Sequence, residues 1–328
     1  MTSLDDHLRR AAASLGPDGE PIPPFKGVRQ RARRRRVLGG AGIAGLAVVV
    51  ALAVSTTTRG HDRVIVQNPG PSPTTLPQAP VTDRSDVTVY LVANEHVVAA
   101  GRRVEGAASP EAAVRALLAG PSGAIEADLG FTSAIPEGTE LHSVTVDGPV
   151  ATVDLSQRFE SGGGSLSMQA RVAQVVFTVT QFAPIEQVRF RLDGNPVSTI
   201  GGEGLMVEDV GRSDFADVTP AILVESPTPG ATVGAPLHVR GISNTFEATV
   251  NYTLTDWNYP NVCPACAEGV IAESYTTATA GSGTSGTFEF DIDFDVTRAG
   301  PVLLEVYEVS AETGLRINET TIPLDVQP

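Results

Sequence analysis

The sequence is poor in the residues that most metal, redox and covalent chemistries require. Its 328 residues hold two cysteines, which excludes a disulfide-rich scaffold and a four-cysteine zinc site. Lys26 is the one lysine. The chain beyond it therefore has no Ser–Lys pair, no Schiff-base amine and no Walker-type phosphate lysine. The histidines, His7, His61, His96, His142 and His238, are scattered, with no H-x-x-x-H pair and no G-x-S-x-G motif in the chain. Aromatic residues make up only 5%, beside 33 glycines and 24 prolines. That composition favours short elements and many turns, while 41% hydrophobic residues suffice for buried cores. The length fits about two domains.

The formal charge of −15 argues, taken whole, against nucleic-acid binding. It is unevenly spread. Residues 1–36 carry nine basic and four acidic side chains, a balance of +5. Residues 37–55 carry none, and residues 56–328 carry 14 basic and 34 acidic ones, a balance of −20.

The uncharged run Val37–Val54, continued by Ser55–Thr58, is long enough for a membrane helix over 37–58. Arg33, Arg34, Arg35 and Arg36 immediately precede it. The positive-inside rule then puts a basic tail, 1–36, in the cytoplasm and the rest outside. A signal peptide cleaved near Ala51-Leu52-Ala53 is the competing reading, but a 36-residue lead-in exceeds the usual total of about 15–30. A retained single-pass anchor in the cell membrane is the expectation. With no cysteine after the apolar run to carry one, a bacterial lipid anchor is not expected. Pro69, Pro71, Pro73, Pro77 and Pro80 make 59–85 an extended extracytoplasmic spacer.

Residues 86–215 read as a first domain. Asp86–Val92 alternates as a strand. Ser109-Pro110-Glu111 opens a helix with Ala113, Val114, Leu117 and Leu118 as its buried stripe, stopped by Gly120-Pro121. Leu141–Val146 and Val150–Leu155 form a hairpin around Asp147-Gly148-Pro149. Apolar residues at three and four predict a helix over 166–182, ended by Pro184; the β-branched run Val175–Thr180 makes strand the competing reading. Gln187–Leu192 is a further strand. The expected class is α+β, a small sheet with two helices on one face.

Residues 219–328 show no helical periodicity. Strand-like runs fall at Ile222–Glu225, Leu237–Ile242, Ala248–Thr255, Val270–Thr276, Thr287–Val296, Val302–Val309 and Glu319–Leu324. Seven short strands in about 110 residues predict an all-β sandwich.

Both halves resemble known families. LLAGP at 117–121, IPEGTELHSVTVDGPVATVDLSQRF at 135–159, SMQARVAQVVFTVTQF at 167–182 and VRFRLDGNPV at 188–197 resemble the GerMN domain, named for a sporulation and spore-germination lipoprotein. SPTPGATV at 226–233, APLHVRGISNTFEATVNYTLTD at 235–256 and AGPVLLEVYEVSAETG at 299–314 resemble the Gmad-type immunoglobulin-like domain that accompanies it. The resemblance implies an extracytoplasmic α+β module of the ring-building type followed by an immunoglobulin-like sandwich. It implies no catalytic residue. The loop NYPNVCPACAE, which holds both cysteines, has no counterpart in it.

Motifs that could carry chemistry have plainer readings. Cys263 and Cys266 have redox-motif spacing, but a thioredoxin-type site needs a helix after the first cysteine. Outside the membrane a loop disulfide is the default. Gly281-Ser-Gly283-Thr-Ser-Gly286 copies the letters of a dinucleotide fingerprint, but precedes a strand. Asp291, Asp293 and Asp295 mimic a calcium loop, yet Val296 and Val302 stand where it needs Gly and Glu. They read as the solvated face of a strand. No catalytic, cofactor or metal residue is therefore expected, and the protein is not expected to be an enzyme.

The expected function is a non-catalytic, membrane-anchored envelope protein, of sporulation or spore-germination type by its likeness, that binds a protein partner or self-assembles. Binding of cell-wall glycan or a small ligand is the alternative. Nucleic acid is not an expected partner. Residues 86–215 carry 8 basic against 17 acidic side chains and 219–328 carry 3 against 14, which disfavours polyanionic wall polymers unless divalent cations bridge them.

Overall fold

The computed structural model describes residues 83–328, except 203, 260, 261, 264 and 265. The basic tail, the predicted membrane helix and nearly all of the spacer lie outside the described residues. Among the described residues no helix is long and apolar enough to cross a membrane. Residues 81–328 fall within one compact unit.

The first domain opens with a hairpin of β1 (Arg84–Ala93) and β2 (His96–Glu105). Asn94 and Glu95 turn it, both at positive φ, the combination that a two-residue hairpin turn demands. The sequence reading missed β2, whose apolar run Val97–Ala100 does not alternate. Helix α1 (Pro110–Leu118) forms as its signals predict: Ser109 Oγ accepts from Ala112 N at 3.2 Å, and Ala113, Val114 and Leu117 are buried. A short helix α2 (Gly123–Asp128) follows. Next come β3 (Leu141–Asp147), β4 (Val150–Leu155), helix α3 (Ser165–Val179), β5 (Gln187–Leu192) and β6 (Asn195–Val197). The sheet order is β3-β4-β5-β6. β4 and β5 are parallel, as a crossover through α3 requires. β7 (Thr199–Ile200) and β8 (Leu205–Met206) form a small ribbon.

The domain is α+β, but its helices do not lie on one face of a single sheet. α3 is the core. Every residue from Ala170 to Val179 is buried, including the β-branched run that also suited a strand. A helix apolar on all sides belongs inside. Val172, Val175, Val176 and Val179 pack with Val89 and Leu91 of β1, and with Val153, Leu155, Val188 and Phe190 of the larger sheet.

Three polar residues in and just after this helix have one explanation. Thr88 N donates to Gln181 Oε1 at 3.0 Å, Tyr90 N to Thr178 Oγ1 at 3.1 Å, and Gln174 Nε2 to Tyr90 O at 3.0 Å. The outer edge of β1 is thus completed by helix side chains instead of a third strand. Gln174, Thr178 and Gln181 fall at the four- and three-residue steps that share a helix face.

The second domain comprises β9 (Ile222–Ser226), β10 (Thr232–Val233), β11 (Leu237–Ser243), β12 (Thr249–Asp256), β13 (Val270–Thr277), β14 (Gly286–Ile292), β15 (Gly300–Val309) and β16 (Arg316–Val326). One sheet runs β14-β11-β9, the other β10-β16-β15-β12-β13. Their inner faces share a core of Val224, Val239, Leu254, Phe288, Leu304 and Leu324, which makes the two sheets a sandwich. Each of the seven predicted strands has a counterpart, and β10 is an eighth. The strand expected over Thr287–Val296 ends at Ile292. Its partner β11 begins at Leu237, after Pro236, which has no N–H to continue the ladder.

Gly241 shows how tightly β9 is seated on β11. A Cβ there would stand 2.2 Å from Leu223 O and 2.6 Å from Phe288 Cζ. Gly241→Ala is expected to cost about 1–3 kcal/mol, because a backbone carbonyl cannot step aside. Urea unfolding checks this, with a lowered midpoint at unchanged slope as the expected result.

Candidate functional site

The most highly organised polar cluster among the described residues lies where the two domains meet. β2 lies against β9, and Leu223 of β9 joins the first domain's core. Gly101 of β2 permits this approach, since a Cβ would come within 2.5 Å of Thr228 Oγ1.

Glu225 of β9 is buried at this boundary. The buried Tyr90 hydroxyl donates to its Oε1, and Arg212 Nη1 donates to the same oxygen at 2.6 Å. Arg212 follows β8, in a 3₁₀ segment at 212–218. Its Nε donates to Thr180 Oγ1 at 2.8 Å and its Nη2 to Phe177 O at 3.2 Å. The guanidinium carbon sits 4.8 Å from the Phe177 ring centre and 5.4 Å from that of Tyr90. Arg240 Nη1 approaches Glu225 Oε2 from the solvent side at 3.6 Å.

Burial, reinforced by the Glu225 carboxylate, pushes the Tyr90 phenol far above its ordinary pKa, so it remains a donor. Burial alone would lower the pKa of Arg212, but Tyr90 and Glu225 outweigh it and keep the guanidinium charged. The cluster fixes opposite charges in place across the boundary, with the Tyr90 hydroxyl held on the carboxylate.

A polar cleft of about 850 Å³ opens beside the cluster, lined by Thr180, Gln181, Asp209, Arg212, Glu225 and Arg240 among others. Asp209 Oδ2 pairs with Arg189 Nη2 at 2.7 Å, whereas its buried Oδ1 has no partner among the described residues. A second groove of about 830 Å³ shares Gln181, Glu225 and Arg240. Among the described residues no Phe, Tyr or Trp side chain lines either one.

The motifs singled out in the sequence lie elsewhere. Cys263 and Cys266 are joined in a disulfide within the β12–β13 loop. The buried Asp256 carboxylate holds that loop, accepting from Val262 N at 2.7 Å and Cys263 N at 3.0 Å. Residues 281–286 form the turn into β14, with no helix after them. Asp291 pairs with His238 Nδ1 at 2.9 Å, while Asp293 and Asp295 stand beyond the strand. Among the described residues no group of three or more His, Cys, Asp or Glu is placed to hold a metal ion.

Comparison with known proteins agrees with this architecture. A family model described as sporulation and spore germination, Germane, matches residues 71–198. A second, described as the immunoglobulin-like domain of bacterial spore germination, Gmad2, matches residues 221–315. No curated protein matches the chain. Among solved structures, a lipoprotein from Clostridium perfringens is 19% identical, covering 42% of this chain and 93% of that one at a TM-score of 0.30. The tandem GerMN domains of the sporulation protein GerM from Bacillus subtilis are 21% identical, covering 64% and 61% at 0.33. The first GerMN domain of the same protein is 23% identical, covering 39% and 98% at 0.32. The chain therefore carries a Germane domain of the sporulation and spore germination family followed by a Gmad2 immunoglobulin-like domain.

Proposed function

We propose that this is a membrane-anchored, extracytoplasmic, non-catalytic protein whose Germane and Gmad2 domains act as one rigid body for protein interaction in the cell envelope. The observation that carries the reading is the buried Tyr90–Arg212–Glu225 cluster, which joins the two domains by a hydrogen bond and an ion pair. The charge split, +5 before the apolar run and −20 after it, supports the topology. The test is cross-linking of the tagged full chain in cells, with fractionation of membranes. Retention in membranes after a high-salt wash and discrete protein adducts are expected. Release by salt would overturn the anchor, and turnover of an envelope substrate would overturn the non-catalytic role.

A second reading, ligand binding, draws on the cleft with its unpartnered Asp209 Oδ1. That acceptor suits a hydroxyl or amide donor, but the aromatic-free lining gives a sugar ring nothing to stack on. Pelleting with purified cell wall, abolished by Asp209→Ala, would favour this reading.

A further inference from the structure

The immunoglobulin-like domain exposes an apolar surface at one end, and its surroundings specify what fits it. Five of the eleven large hydrophobic residues exposed among the described residues gather there: Tyr275 (67%), Leu315 (62%), Phe246 (54%), Val309 (42%) and Ile317 (41%). The registers place three of them at this end of the larger sheet. Tyr275 and Tyr307 both pair with Asn251 and Val309 pairs with Arg316 on the outer face, whereas Ile317, paired with the buried Glu308, lies on the other face, toward the loops. Phe246 lies in the β11–β12 connection, which enters this same end, and Leu315 in the β15–β16 hairpin.

The surface is pre-organised. Three loops converge here, 244–248, 278–285 and 310–315; the first two are tied to each other and the third is closed by its own hydrogen bonds. Gly283 N donates to Asn244 Oδ1 at 2.8 Å, and Ser282 N to Thr245 O at 2.9 Å. The buried Glu308 carboxylate accepts from Phe246 N at 2.8 Å and from Asn318 Nδ2 at 2.7 Å, joining the first loop to β16. Glu247, Ala248, Ser282 and Asn318 are all held at positive φ. Backbone of this kind persists only where its surroundings over-determine it, and it clusters at functional surfaces. Loops displayed by a rigid sandwich end are a recurrent place for binding.

The rim decides the partner. Glu247, Glu273, Glu312 and Glu319 are exposed around the apolar residues, against one cation, Arg316. Arg316 is engaged, lying 3.9 Å over the Tyr307 ring and pairing with Glu305 at 3.4 Å. An acidic rim repels anionic lipid and nucleic acid, and it repels a second copy of itself. A large exposed apolar patch with a polar rim marks a protein-binding surface. We propose that this end of the Gmad2 domain docks a partner protein whose surface has an apolar centre and a basic rim. The proposal rests on the interaction function above and names its face and its partner's chemistry.

The test uses the full-length chain in its native membrane, with a photoreactive residue at Tyr275 or Leu315. Tyr259, at the opposite end of the sheet, and Val146, in the Germane domain, are the comparison positions. Tyr275 and Leu315 are expected to capture the same protein through a peptide rich in Lys or Arg, while Tyr259 captures none. Phe246→Asp, and separately Glu247→Arg with Glu312→Arg, are expected to lower the yield about tenfold. An unchanged melting temperature checks that both variants fold. Adducts with another copy of this chain, yields indifferent to these substitutions, or no adduct at Tyr275 and Leu315 would overturn the proposal. Adducts at Val146 or Tyr259 alone would overturn this face and leave the interaction function standing. No adduct from any of the four positions, together with none in the general cross-linking experiment, would overturn both.

Discussion

Glu225→Ala is expected to destabilise the protein by about 3–5 kcal/mol, the usual cost of breaking a buried ion pair from one side. The loss exceeds that of an exposed pair because of what stays behind. Arg212 remains charged and largely buried, held by Thr180 and Phe177 O, with its carboxylate gone. Tyr90 loses the acceptor for its buried hydroxyl. Glu225→Gln should recover the Tyr90 hydrogen bond but not the charge balance, and so fall between. Tyr90→Phe combined with Arg212→Leu and Glu225→Leu should recover most of the loss, since a packed apolar cluster can replace a buried ionic one. Calorimetry adds a second readout. The wild type should unfold in one transition, and Glu225→Ala in two, as the domains part. A loss below about 1 kcal/mol would mean that the pair behaves like a solvent-exposed one.

Phe177→Ala is expected to cost a similar amount, about 3–5 kcal/mol, by a different route. Phe177 is fully buried on α3, with its ring 5.3 Å from Tyr90 and 4.8 Å from the Arg212 guanidinium. Truncation leaves a cavity lined by a helix and a strand that are both fixed by hydrogen bonds, so the site cannot collapse. It also removes one of the two aromatic faces on which Arg212 rests, worth about 0.5–1 kcal/mol or more once desolvated. Phe177→Leu should restore most of the volume and leave only the second loss. Urea unfolding of the three proteins separates the terms. Equal stabilities for the Leu and Ala variants would show that the cavity closes.

The strands of the sandwich were legible because they alternate; Phe288, Glu289, Phe290 and Asp291 announce their two faces. Helix α1 was legible from Ser109 and Pro110, and α3 from its spacing of three and four. β2 escaped because Val97–Ala100 is apolar throughout, a pattern shared by buried strands and helix segments. The end of β14 escaped because alternation continues to Val296 after the hydrogen-bonding partner has stopped at Leu237. The domain junction was invisible for a stronger reason. Tyr90 and Glu225 are 135 residues apart, and nothing local pairs them. Each nonetheless left a trace: Tyr90 interrupts an alternating strand with a residue too large to ignore, and Glu225 ends the apolar run Ile222–Val224. Gln174 and Thr178 stand in the sequence as polar breaks in an apolar run, because only the folded chain reveals the strand edge they complete. The apolar end of the sandwich was equally hidden, since Phe246, Tyr275 and Leu315 belong to separate loops and strands.

The sealed edge of β1 also has a mechanical meaning. Arg84 is the first residue of that strand, so tension on the chain before it enters the folded part there. Thr88 and Tyr90 share the load with α3 through the Gln174, Thr178 and Gln181 bonds. From the Tyr90 hydroxyl it passes across the boundary to Glu225. Side-chain bonds and the packing of β2 on β9 thus give a tug a path between the domains that runs beside the covalent chain.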